Sequence, residues 1–302
     1  MINFKPEGRF PESRPITMSV LTDAYDKQRI LEAKAVMCDS EHNLIVDLGG
    51  IRGVIPREEG AIGIREGQVR DIALISRVNK PVCFTVERIE QQHGKPLAVL
   101  SRREAQQRCA SEYISALRPG DIVEAKVTHL ESFGAFCDIG CGIVALMPID
   151  AISVSRISHP SDRFSTGDDI YAVVQSIDEN GRISLSHREL LGTWQQNADR
   201  FMQGQTVSGV IRTVEDYGIF VELTPNLAGL AELKDGVEPG QQASVYIKSI
   251  IPEKMKIKLI IIDSFDADYK TPPIEYFFTG DRIDRWQYSP ESCRKQIVSC
   301  FS

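Results

Sequence analysis

Two aromatic residues bracket a glycine at the start of an apolar run twice in this chain, as Phe133-Gly134-Ala135-Phe136 and again 84 residues later as Tyr217-Gly218-Ile219-Phe220. Each copy continues into an acidic and an apolar residue, Asp138-Ile139 and Glu222-Leu223. Alternate residues of a strand face opposite sides. Ala135, Cys137 and Ile139 therefore share one apolar row suited to a barrel interior, as do Ile219, Val221 and Leu223. The opposite row carries Phe136 with Asp138 and Phe220 with Glu222, and we expect it to face water. A glycine-led bulge would shift the phase and bring Phe133 and Tyr217 to that same outer face. Two rings open on a β-surface make a platform on which bases can stack.

The repeat is wider than the rings. A first strand recurs as Leu31 to Ala35, Val123 to Val127 and Val207 to Ile211, and a second as Ile45 to Leu48, Phe136 to Ile139 and Phe220 to Leu223. A third recurs as Gly53 to Pro56, Ala145 to Pro148 and Gly229 to Glu232. A hairpin closes the units. In the second it runs from Tyr171 to Ile177 and from Arg182 to Ser186 around Asp178-Glu179-Asn180-Gly181, and Asn-Gly is a strong turn signal. In the third it runs from Ser244 to Ile251 and from Met255 to Ile261 around Pro252 to Lys254. Five short strands in about seventy residues, without helical crossovers, describe a small closed β-barrel.

The predicted class is all-β: three tandem five-stranded barrels joined by short helices, with a C-terminal hairpin-plus-helix tail. The boundaries read as an N-terminal arm over 1–24, extended around Pro6, Pro11 and Pro15, then barrels over 25–105, 118–190 and 203–263. Helices over 106–117 (reaching back to about Arg102) and 191–202 link them, and 264–302 forms the tail. Leu191, Trp194, Ala198 and Phe201 recur at helical spacing, which makes Trp194 a plug against a barrel end rather than a stacking residue. In the tail, Pro272-Pro273 introduces a hairpin from Glu275-Tyr276-Phe277-Phe278 through Thr279-Gly280-Asp281 to Arg282–Tyr288, and Ser289-Pro290-Glu291 reads as a helix start.

Composition narrows the function classes. The longest apolar run of note, Leu259 to Ile262, is far short of a membrane span, and the first residues lack a secretory leader's apolar core. Seven scattered cysteines without CxxC spacing argue against a disulfide framework or a zinc site, and a reducing cytoplasm is expected. The five histidines, at 42, 93, 129, 159 and 187, lack metal-ligand spacing, and no phosphate loop or nucleophile elbow is present. No catalytic residue, metal or cofactor is expected. The net charge of −7 is unusual for a nucleic-acid binder. From Arg118 to Leu190 there are six basic residues against eleven acidic ones, so attraction to phosphate must be local.

The run from Pro119-Gly120-Asp121-Ile122-Val123 through Phe133-Gly134-Ala135-Phe136 to Gly181-Arg182-Ile183-Ser184-Leu185-Ser186-His187-Arg188 resembles the S1 RNA-binding domain, an OB-fold barrel. The third unit matches in its front half, and the first, ending in Leu100-Ser101-Arg102-Arg103, is divergent. The tandem arrangement over about 25 to 263 is similar to that of bacterial ribosomal protein S1. The family's RNA face uses two aromatics, often a histidine after the third strand, and an aspartate and arginine flanking the last turn. In the second unit the resemblance assigns these to Phe133, Phe136, Asp178 and Arg182, with Pro148 in the histidine's place. In the third it assigns Tyr217, Phe220 and Lys256, with Glu232 and Pro252 as departures. The first unit has His42, Ile45, Pro56 and Leu97 there, so its platform is missing and a protein-contact role by analogy is implied.

The expected partner is single-stranded RNA, such as messenger RNA, with the small ribosomal subunit a further one and no membrane. Lys254, Lys256 and Lys258 alternate with apolar residues as a cationic ladder, equally readable as a solvated strand face. Asp178 reads equally as an RNA contact or as a holder of its turn. The competing class is a scaffold docking on RNA machinery with little RNA affinity of its own.

Overall fold

A computed structural model of the chain describes residues 4–10, 16–92, 94–267 and 273–301. Pro11, Pro15, His93 and Pro272 lie outside the described residues. The molecule is mostly β, built from closed five-stranded barrels. The strands are β1 (Leu31–Cys38), β2 (Leu44–Asp47), β3 (Arg52–Ile55), β4 (Pro81–Gln92) and β5 (Lys95–Ser101), closed in the order β1-β2-β3-β5-β4. Next come β6 (Ile122–Glu131), β7 (Gly134–Gly140), β8 (Ile143–Pro148), β9 (Asp169–Ile177) and β10 (Ile183–Ser186), closed as β10-β8-β7-β6-β9. The last set is β11 (Thr206–Glu215), β12 (Gly218–Thr224), β13 (Leu227–Ala231), β14 (Gln242–Ile251) and β15 (Lys256–Phe265), closed as β11-β12-β13-β15-β14. In each, the third and fifth strands run parallel while the hairpins are antiparallel. Closure removes the exposed edges on which other chains could pair.

The helices are short: α1 (Met18–Asp26), α2 (Ile72–Ile75), α3 (Arg102–Glu112), α4 (Ile149–Ile152) and α5 (Trp194–Ala198). Two compact units emerge. One gathers the described residues up to Leu117 with Glu124–Lys126 and Asp138–Val144, and the other holds Arg118–Val123, Val127–Cys137 and the described residues from Ala145 onward. The first unit's core joins Leu21 and Ala24 of α1 to Leu31, Leu44, Val82 and Leu100 of its barrel. In the second unit, the fully buried Trp194 sits with Ile211, Val221, Leu227 and Ile257, the plug its spacing predicted.

Several expectations are corrected. Residues 18–24, placed in an extended arm, are helical and part of α1, because Thr17 accepts from the Val20 amide as its cap and Leu21 and Ala24 bury an apolar stripe. The linker helix after the second barrel is only one turn, α5, capped reciprocally by Thr193 and Gln196. The tail hairpin pairs β16 (Arg285–Gln287) with β17 (Val298–Cys300), not residues 275–278 with 282–288. No helix follows Ser289 among the described residues, because its hydroxyl accepts from the Ile297 amide across the hairpin instead of capping a first turn.

Asp138 and Glu222 do not face water; both are buried. Asp138 accepts from the amides of Glu7, Gly140 and Gly142 at 2.8, 2.8 and 3.0 Å. Burial and the neighbouring Glu7 carboxylate push its carboxyl up to about 7. Glu7 stays ionised through a two-point pairing with the buried Arg102 at 2.6 and 2.9 Å. Glu222 pairs with Arg163 and, at 2.9 Å, with Arg212. A buried charge requires such partners, and Arg163 and Arg212 supply them to Glu222 where the barrel's outer face is covered.

Candidate nucleic-acid interface

Phe133 and Tyr217 are not strand residues. Each is the second residue of the two-residue turn that joins the first two strands of its barrel, Ser132-Phe133 and Asp216-Tyr217. That placement turns both rings outward: Phe133 is 54% exposed and Tyr217 69%. Phe136 and Phe220 follow on β7 and β12, half-buried on the outer face. The phase shift occurs on the opposite strand, where the β11 register slips between Ile211 and Thr213, bringing Thr213 across from Phe220. The glycines serve a different purpose. A Cβ on Gly134 would lie 2.4 Å from the Met147 carbonyl oxygen, and one on Gly218 2.7 Å from that of Ala231. Only glycine lets the adjoining strands approach so closely.

Neither pair is coplanar. Phe133 and Phe136 stand 6.0 Å apart at 89°, and Tyr217 and Phe220 6.1 Å apart at 87°. A third ring joins the first pair: His129 of β6 lies 6.2 Å from Phe136 at only 27°. Its Nε2 bonds to Glu131 at 2.7 Å. His129 lies outside the repeated aromatic motif, although the 84-residue offset sets it where Thr213 stands opposite Phe220.

The polar candidates separate. Asp178 Oδ1 accepts from the amides of Asn180 and Arg182 at 2.9 and 2.8 Å, so it holds its turn. Arg182 is exposed just before β10. In the third barrel, register places Phe220 beside Leu230 and Leu230 beside Lys258, so one outer row runs from the ring to a cation two strands away. Lys256 points the same way two residues earlier and is also exposed. Lys254 breaks the ladder: it lies in the 3-10 turn Pro252–Lys254, and left-handed Met255 (φ 48°) reverses the chain before β15 begins. Glu232, at the histidine position, is exposed and pairs with Lys248 at 3.4 Å. In the first barrel Ile45 is buried and His42 sits in a turn, so no ring pair forms. Among the described residues, no group of three or more His, Cys, Asp or Glu is placed to hold a metal, and no helix is long and apolar enough to cross a membrane.

A five-stranded barrel of this order, with an aromatic pair raised from its first hairpin, is the architecture of a protein that carries an S1 domain, and residues 116–188 match the model of the S1 RNA binding domain. Over most of its length the chain is similar to bacterial small ribosomal subunit protein bS1. It is 32% identical to bS1 of Leuconostoc lactis over 233 residues, covering 72% of this chain and 52% of that protein. It is 29% identical to bS1 of Staphylococcus aureus over 260 residues, covering 80% and 64%. The chain thus spans between about half and two-thirds of the length of these relatives. A solved multidomain protein with nucleic acid binding domains from Streptococcus pneumoniae is 16% identical, covering 79% of this chain and 75% of that one at a TM-score of 0.26.

Proposed function

We propose that this chain binds single-stranded RNA without catalysing a reaction, through three S1-type OB barrels, in the cytoplasm and in the setting of translation, with messenger RNA and the small ribosomal subunit as partners. The observation that carries the proposal is the coincidence of the S1 match over 116–188 with the Phe133–Phe136 pair, Phe133 exposed and Phe136 half-buried on that barrel's outer face. Bases stack on Phe133, Phe136 and His129 in the second barrel and on Tyr217 and Phe220 in the third. Arg182, Lys256 and Lys258 contact phosphate, each as a charge-assisted hydrogen bond. The division into barrels over 25–105, 118–190 and 203–263 belongs to the same proposal. The first barrel, which lacks the rings, acts as a contact for other proteins.

Stacking on an aromatic side chain is worth about 1–3 kcal/mol per base and tolerates any sequence. Fluorescence anisotropy with a short unstructured oligonucleotide tests the assignment. Replacing Phe133 and Phe136 together by Ala is expected to weaken binding at least about tenfold, since about 1.4 kcal/mol corresponds to a factor of ten. An unchanged affinity in a folded double variant would favour the scaffold alternative, which the acidic charge of the chain suits.

A further inference from the structure

A cleft of about 320 Å³ opens beside the third barrel's ring pair, lined by Ser155, Arg156, Arg212, Thr213, Tyr217 and Phe220 among others. Its two walls come from distant parts of the chain. One is the β11–β12 hairpin. The other is the segment following α4, and that segment is fixed in place. The Val154 amide donates to the side chain of fully buried Asn226 at 2.9 Å, and the Ser155 amide to the Pro225 carbonyl at 3.2 Å. Asn226 is itself held, donating to the carbonyls of Arg188 and Gly192 at 2.8 and 2.9 Å. Arg156 is thus the first free side chain after a bolted backbone.

The two arginines of the cleft differ. Arg212 is committed to Glu222 at 2.9 Å and to Asp162 at 3.2 Å. Arg156 is exposed and, among the described residues, makes no hydrogen bond or ion pair. An uncommitted guanidinium across from the open Tyr217 ring and half-buried Phe220 has the chemistry of a nucleotide clamp: a flat apolar face for a base, a bidentate donor for a phosphate. The volume falls within the range of small-ligand pockets, roughly 300–1,000 Å³. Glu215, also in the wall, repels phosphate from its own side and leaves Arg156 as the side on which the backbone passes.

Resting on the stacking assignment above, we infer that this cleft holds one nucleotide of the RNA strand, its base flat on exposed Tyr217 and its phosphate on Arg156. The third barrel's site is then completed by a residue that lies before α5, outside the barrel itself.

Anisotropy titrations of the full chain with a short uridine oligonucleotide at several salt concentrations test this. Arg156→Gln is expected to weaken binding about tenfold, as loss of a hydrogen bond to a charged group does. It should also flatten the slope of log affinity against log salt by about 0.7, the value for one phosphate on a single strand. Lys95→Gln, at an exposed hairpin position of the first barrel, removes the same charge elsewhere and should change neither quantity. Loss of affinity in Tyr217→Ala with none in Arg156→Gln overturns the clamp and leaves stacking standing. Equal losses in Arg156→Gln and Lys95→Gln overturn it in favour of diffuse attraction. Unchanged binding in both Tyr217→Ala and the Phe133/Phe136 double variant overturns stacking, and the clamp with it.

Discussion

Single residues in this chain are set by where they sit rather than by what they are. His187 closes the S1 motif in sequence, yet it is buried, with Nδ1 3.2 Å from the Ile152 carbonyl and Nε2 3.3 Å from the Tyr276 hydroxyl. The carbonyl can only accept, so Nδ1 carries the proton and Nε2 accepts from tyrosine. Burial lowers the imidazole pKa to about 4. The consequence for stability has a definite sign. Above pH ~6.5 the ring is neutral in both folded and unfolded chains and costs nothing. As the pH falls toward 4 the unfolded chain takes up the proton first, and stability drops by about 3 kcal/mol in all before levelling off. Urea unfolding of wild type and His187→Gln from pH 7.5 to 4 should show the wild type losing stability relative to the variant as the pH falls, the difference separating the histidine from Asp138, which titrates in the same window in both. The outward rings were legible in the repeat, because a pair of aromatics around a glycine survives any shift of phase. The burial of Asp138 and Glu222 was not, since nothing local announces that Glu7 and Arg163, respectively 131 and 59 residues away, will reach them.

At the scale of elements, strands whose sides alternate cleanly were readable, and ends and connections less so. β15 alternates exposed and buried residues from Lys256 through Ile261, and its register follows. The tail was misread because Ser289-Pro290-Glu291 is equally good as a helix start and as a hairpin loop; the distant Ile297 amide decides between them. The glycines of the aromatic motif test the close packing of strands. Gly134→Ala is expected to cost about 1–3 kcal/mol, as overpacking does, because the Met147 carbonyl that a Cβ would meet is backbone and cannot swing aside. A lower midpoint in thermal unfolding would register it. Asn226→Ala should cost at least about 2 kcal/mol, since buried carbonyls and the Val154 amide all lose their partner. Denaturant unfolding measures that loss, and an unaltered midpoint would show the segment before Arg156 to be held by other means.

The molecule as a whole is acidic, and this shapes how it must meet a polyanion. With four exposed cations assigned to phosphate, Arg156, Arg182, Lys256 and Lys258, the slope of log affinity against log salt is expected to be roughly −3, at about 0.7 per phosphate. A much steeper dependence would point to a broad basic surface that the charge distribution does not offer. Ribosome co-sedimentation with and without residues 1–105 should separate the roles of the barrels, the truncated chain keeping RNA affinity while losing particles. The right angle between partner rings has a last consequence, for the ligand. Neighbouring nucleotides that each settle flat on one member of such a pair must abandon their shared column and turn a corner between them. Floppy uridine tracts make that corner at little cost, adenosine tracts must first break their own column, and a duplex cannot make it at all.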